Sequence, residues 1–184
     1  MNLSKLKFLI FASFITLIFI GCSSEQETLE TLQNQSTTIN LDNSLDEAIE
    51  NSLDNYQAVV IVFYRGYFWG ICRAQLGELA QNHDLFRRFG IDIIALSTDD
   101  QENTQAMIDE VNPTFKIISD STYTISQQWE VFNLLGDGVA APSAFIIGKN
   151  NAILWAHRGS SSSDRPPTDF LLAKSLDLLK KIAN

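Results

Sequence analysis

Tyr64-Arg65-Gly66-Tyr67-Phe68-Trp69-Gly70-Ile71-Cys72-Arg73-Ala74-Gln75-Leu76 is the stretch on which the reading of this chain turns. It follows an unbroken apolar run, residues 58–63, short and β-branched enough for a strand buried on both faces. Beyond it Leu76, Leu79, Ala80, Leu85, Phe86 and Phe89 recur at helical spacing. Two glycines let the backbone bend between strand and helix, so Cys72 is expected at or just inside the helix start. The first turn of a helix presents unpaired N–H groups and a partial positive charge, the setting that redox cysteines use. Arg65 and Arg73 lie close by in sequence. A buried helix-start cysteine also serves as an inert small hydrophobe, and the residues alone leave both readings open.

Outward from this unit, the chain alternates strands and helices. Leu45, Ala48, Ile49 and Leu53 make a helical stripe before the first strand. After it come a strand at 91–96, a helix at 101–111 capped by Asp99 and Glu102, and a strand at 115–118. A helix is expected over 121–132, with Ile125, Trp129 and Phe132 on one face. Residues 144–147 and 152–157 read as strands joined at Asn150-Asn151 in an antiparallel hairpin, and Pro166-Pro167 start a closing helix. This order predicts an α/β domain over 44–184, with a central mixed sheet covered on both faces by helices.

The first 43 residues read differently. Lys5 and Lys7 precede an apolar stretch at 8–20 that is shorter than the roughly 20 residues a membrane span needs. It ends at Gly21-Cys22, which resembles the cleavage box of bacterial lipoproteins. Residues 1–21 are therefore expected to be a lipoprotein signal peptide, with Cys22 lipidated and 22–43 a polar flexible tether reaching about 25 Å. That puts the domain in the bacterial cell envelope, lipid-anchored and facing the periplasm or exterior. The formal charge of −9, from 22 acidic and 13 basic residues among 184, argues against nucleic acid as a partner.

Phe63-Tyr64-Arg65-Gly66, with Cys72 after it and then Arg73-Ala74-Gln75-Leu76, resembles the peroxiredoxins. Within them it is similar to the alkyl hydroperoxide reductase/thiol-specific antioxidant branch of the thioredoxin-like superfamily. Ser97-Thr98-Asp99-Asp100, Ser119-Asp120 and Ala141-Pro142-Ser143 extend the resemblance over roughly residues 59–179. It implies a thioredoxin-like fold with Cys72 as the peroxide-attacking nucleophile and Pro142 facing it. Arg158, near the end of the last strand, would polarise the peroxide, with Arg65 and Arg165 as competitors for that task. Tyr64, Arg65, Trp69 and Pro142 would wall the site, and no cofactor is required. Where the family carries a proline and a threonine or serine before the cysteine, this chain has Arg65 and Trp69. A sub-branch with Tyr-Arg-Gly and Trp-Cys-Pro-Tyr-Cys fits the flanks better. Against it Cys72 matches the second cysteine, Trp69 replaces the first and Gly70 the proline.

Only two cysteines exist, so with Cys22 blocked Cys72 is the sole free thiol and forms no intrachain disulfide. Peroxide would then leave a sulfenic acid that an external reductant, a thioredoxin-like protein or a small thiol, returns to thiol. Trp69 offers one N–H donor and no acceptor where the family has a hydroxyl, and it is expected either to cap the thiol or to pack into the core beside Phe68. His83 is read as a solvated surface histidine, and His157 as pointing to the opposite sheet face from Arg158. No residue set has zinc spacing, so no metal is implied. Residues 160–163 read as a flexible loop. The expected activity is a membrane-anchored, one-cysteine thiol peroxidase acting on hydroperoxides, and a homodimer is compatible with it. Its rivals are a non-catalytic thioredoxin-like module that binds a protein partner and a thiol–disulfide exchange protein.

Overall fold

The computed structural model describes residues 44–183. The expected signal peptide (residues 1–21), Cys22, the expected tether and Asn184 lie outside the described residues. Helix α1 (Ser44–Asn55) leads into β1 (Ala58–Phe63), then α2 (Gly70–Arg88), β2 (Ile91–Ser97), α3 (Gln101–Val111), β3 (Lys116–Ser119) and α4 (Thr124–Gln128). β4 (Ser143–Gly148), β5 (Ile153–Arg158) and α5 (Thr168–Ala183) complete the domain. The strands form one mixed sheet in the order β3-β2-β1-β4-β5. β1 pairs in parallel with β2 and antiparallel with β4. Lys149 to Ala152 close the β4–β5 hairpin, with Asn150 and Asn151 at φ 60° and 57°. Those values suit the mirror-image turn that matches strand twist.

β1 is central, and every one of its residues is buried. Val60, Val62 and Tyr64 point into a core shared with Cys72, Leu76, Leu79 and Phe86 of α2, Met107 of α3 and Leu171 of α5. Val59, Ile61 and Phe63 point the other way, onto Leu45, Ile49 and Leu53 of α1, Ile125 of α4 and Phe145 of β4. Each such side chain contributes about 1.5–3 kcal/mol by burial, and a one-residue slip would exchange the two faces. The two cores fix the register of β1 and with it the direction in which the chain enters the Tyr64–Trp69 turn.

Two elements differ from expectation. α4 stops at Gln128, because the Ser126 carbonyl accepts both Val131 N–H (2.9 Å) and Phe132 N–H (3.1 Å). Glu130 and Asn133 then adopt positive φ, and Phe132 bridges to Ala140. The cap of α3 is Asp100, whose Oδ1 accepts Asn103 N–H at 2.9 Å, and not Asp99. Asp99 is engaged at the turn described next.

Candidate active site

The Tyr64–Trp69 turn leaves the carboxyl end of β1, where ligands collect in open α/β sheets. Asp99, on the loop after the adjacent β2, holds it there. Asp99 Oδ2 accepts Tyr67 N–H at 2.7 Å, and a Cβ at Gly66 would lie 2.8 Å from Asp99 Oδ1. With φ at +152° as well, position 66 admits only glycine without strain. Burial lifts the Asp99 carboxyl above its ordinary range, against the Tyr67 N–H and Ser97 hydroxyl that hold it down. Arg73 staples the other side, its Nη1 on the Tyr67 carbonyl (2.6 Å) and its Nε on Glu110 (2.9 Å).

Cys72 is the third residue of α2 and is fully buried, its side chain turned into the core beneath Tyr64. Tyr64 is itself buried and its hydroxyl has no hydrogen-bond partner among the described residues. Burial pushes the phenol above the usual tyrosine range.

The arginine beside the thiol is Arg165. Its Nη1 is 3.5 Å from Cys72 Sγ and 3.1 Å from Gln75 Oε1, one helical turn further along α2. Its Nη2 donates to Ser162 O at 2.6 Å, while its buried Nε has no hydrogen-bond partner among the described residues. Arg165 is carried there by a strap over residues 159–165 folded across the end of the sheet. Gly159 N–H donates to the Pro142 carbonyl (2.8 Å), and a Cβ at 159 would meet the Pro142 and Asp164 carbonyls at 2.5 Å each. Asp164 Oδ2 accepts both the N–H and the hydroxyl of Ser160 at 2.8 Å, and His157 Nε2 lies 3.1 Å from Asp164 Oδ1. The Ser160 bonds, then His157, hold the Asp164 carboxyl below its ordinary range. The stretch read as a flexible loop is thus a bonded strap. Pro142 precedes Ser143, the partner of Phe63, and so stands level with Tyr64 and anchors the strap.

Arg158 takes a different place from the one expected of it. It pairs across the hairpin with Ser143, and its guanidinium lies 5.0 Å over the Phe145 ring, on the α1/α4 side of the sheet. Its Nη2 reaches Trp129 O (3.1 Å) and Glu130 Oε2 (3.4 Å). Strand alternation puts His157 on the Cys72 side and Arg158 on the other, so the expected pairing of Arg158 with Cys72 is corrected to Arg165.

Arg65 and Trp69, the two departures from the peroxiredoxin pattern, meet each other. The Arg65 guanidinium stacks 4.2 Å over the Trp69 ring, and its Nη1 lies 2.6 Å from Asp137 Oδ2. Arg65 is buried and its Nε has no hydrogen-bond partner among the described residues, whereas Trp69 is 43% exposed and does not enter the core. Phe68 at 79% stands out from the same turn, and Ile71 at 53% from the start of α2. Sequence reasoning also misjudged His83, which is buried at 1% exposure between α2 and the start of β2. Among the described residues no group of three or more His, Cys, Asp or Glu is placed to hold a metal, and no helix is long and apolar enough to cross a membrane.

Several solved structures share this architecture. Enterococcus faecalis AhpC superposes with a TM-score of 0.61 at 16% identity, over 71% of this chain and 79% of that one. Mycobacterium tuberculosis AhpC gives 0.58 at 24% identity, over 68% and 71%. The peroxidoxin BcpB of Mycobacterium tuberculosis gives 0.57 at 20% identity, over 72% and 84%. At these identities the likeness is one of fold. No curated protein matches the sequence. The sequence itself matches the AhpC/TSA family over residues 31–156, a span that includes Cys72 and stops short of Arg165. Strand order, the helix-start cysteine and that match agree, and the chain belongs to the AhpC/TSA family, thiol-dependent peroxidases of thioredoxin-like fold.

Proposed function

We propose that the chain reduces hydroperoxides through Cys72 alone, with an external thiol as reductant. The observation that carries this reading is the Arg165 guanidinium 3.5 Å from Cys72 Sγ. It sets a fixed cation against the sulfur that must carry negative charge to react. The Cys72 thiolate attacks one peroxide oxygen, the S–O bond forms as the O–O bond breaks, and the departing alkoxide or hydroxide takes up a proton as alcohol or water. The unpartnered Nε of Arg165 is a donor available to a peroxide or sulfenate oxygen. One external thiol then displaces water from the sulfenic acid to give a mixed disulfide, and a second releases Cys72 as thiol. Cys72 is the only free cysteine among the described residues, which supports the one-cysteine form. Because the thiol is fully buried, substrate reaches it only when side chains at the turn or the strap move aside. In this proposal the domain works at a membrane surface, tethered through lipidated Cys22.

A second reading, a partner-binding module without catalysis, is favoured by the exposed Phe68 and Trp69 on the turn and Ile71 at the start of α2. Peroxide consumption with a thiol reductant separates the two. The peroxidase reading expects turnover that Cys72→Ser abolishes, and equal consumption by both proteins would leave the module.

A further inference from the structure

At the opposite end of α2 a groove of about 450 Å³ opens between α1, α2 and the starts of β2 and β3, within the size range of small-molecule sites. His83 lies eleven residues after Cys72 on α2, about 16 Å along the axis at 1.5 Å per residue. The groove is therefore separate from the thiol. His83 bonds two side chains there. Its Nε2 is 2.8 Å from Asp92 Oδ1, and its Nδ1 is 2.7 Å from Thr114 Oγ1. Ser52 Oγ donates to the other Asp92 oxygen at 2.6 Å, and the Phe115 ring meets the imidazole edge-on at 5.5 Å.

The bonding order fixes the tautomer. Burial alone would raise the Asp92 carboxyl, but His83, the Ser52 hydroxyl and the Ile93 N–H outweigh it and hold the group below its ordinary range. Asp92 is thus a carboxylate at neutral pH and only accepts hydrogen bonds. In the neutral ring the proton sits on Nε2, facing that carboxylate, and Nδ1 accepts from the Thr114 hydroxyl. Thr114 is exposed at the groove. Hydroxyl, base and orienting carboxylate within hydrogen-bond reach are the arrangement that activates a weak nucleophile. Arg87 and Lys116 line the same groove, and neither forms an ion pair among the described residues. Arg87 Nε donates to Tyr56 Oη at 2.5 Å, which leaves its two terminal nitrogens for a ligand.

We propose that Thr114, His83 and Asp92 form a second reactive site, in which the Thr114 hydroxyl takes an acyl group from a donor with an anionic leaving group, an acyl phosphate being the simplest. Thr114 Oγ1 attacks the acyl carbon while His83 Nδ1 takes its proton. The C–O bond to phosphate breaks, phosphate leaves with the bonding pair, and the proton passes from His83 to phosphate. Arg87 and Lys116 offset the charge of donor and leaving group.

The test uses full-length Cys72→Ser protein, so that thiol acylation does not compete, with acetyl phosphate as the probe and peptide mass mapping as the readout. The expected result is acetyl on Thr114 well ahead of Thr122, an exposed threonine without such a base. Labelling should vanish at that position in Thr114→Val, persist in Thr114→Ser, and slow about a hundredfold in His83→Gln. Arg87→Ala should slow labelling by acetyl phosphate more than labelling by neutral p-nitrophenyl acetate. Thr114 labelled no faster than Thr122, or acetyl confined to lysines, would overturn the proposal. That comparison is internal to one digest, so it decides the matter even if His83→Gln does not fold.

Discussion

Replacing Arg165 with methionine keeps most of the side chain's length and removes its charge. In the structure one guanidinium nitrogen stands 3.5 Å from Cys72 Sγ and 3.1 Å from Gln75, while the other end is tied to Ser162. Two unit charges about 4 Å apart attract by about 4 kcal/mol at an effective dielectric of 20. Removing one preorganised donor to a developing negative charge typically costs about 2.7–4 kcal/mol. The two figures agree, and at 1.36 kcal/mol per decade the lower one predicts about a hundredfold loss of peroxide rate. The assay is stopped-flow oxidation of Cys72 by hydrogen peroxide and by an organic hydroperoxide, with the unfolding midpoint measured on the same preparation. Arg165→Lys should recover part of the loss, because a point charge replaces a planar fork. Arg158→Ala is the control, since its guanidinium serves Trp129 and Glu130 on the other sheet face. It should leave the rate within about threefold, a free-energy change under 1 kcal/mol. A folded Arg165→Met protein that reacts as fast as the parent, or an Arg158→Ala protein that loses the hundredfold instead, would refute the assignment.

Trp69→Thr should raise the peroxide rate, by up to about a hundredfold, because a hydroxyl both donates and accepts where indole only donates. The stacking it removes from the buried Arg65 should cost about 1–2 kcal/mol of stability, between an exposed and a desolvated cation–π pair, and a slower folded variant would mean the indole belongs to the working site. Asp92 has a depressed folded-state pKa, so its contribution is present above its unfolded pKa and lost as pH falls through the folded value. Asp92→Asn should therefore flatten the fall in thermal midpoint below about pH 4, and an unchanged acid profile would show that Asp92 is not responsible for it. Cys22→Ser should leave the protein unprocessed or free of membranes, and unchanged mass with full membrane retention would remove lipid anchoring from the account.

What could be read in the sequence followed from periodicity. The run from Ala58 to Phe63 is buried on both faces, and Leu76, Leu79 and Phe86 of the α2 stripe pack as their spacing requires, while Leu85 and Phe89 stay exposed; Cys72 lands at the helix start. The preference for Arg158 over its competitor Arg165 did not hold because a strand reverses its facing with every residue, and Arg158 shares a face with Phe145 and not with Cys72. Arg165 arrives by a strap whose path depends on the fit of Gly159 between two carbonyls, and no hydrophobic period encodes that. The only signal was punctuation, a glycine and serines followed by Pro166-Pro167. His83 was legible and was missed: it falls with Leu76, Leu79 and Phe86 on the buried stripe of α2, where a histidine needs partners. The contact between Arg65 and Trp69 was not legible, because the turn that brings them together is set by Asp99, far along the chain.

The central claim is that Cys72 itself takes oxygen from the peroxide. It is tested most directly by treating the full-length reduced protein with one equivalent of hydroperoxide in the presence of dimedone and locating the adduct by mass. The account predicts a dimedone adduct on Cys72, no intrachain disulfide, and an adduct rate that falls in parallel with peroxide consumption in Arg165→Met. Peroxide consumed while Cys72 stays unmodified, or Cys72→Ser consuming it at the parent's rate, would contradict it.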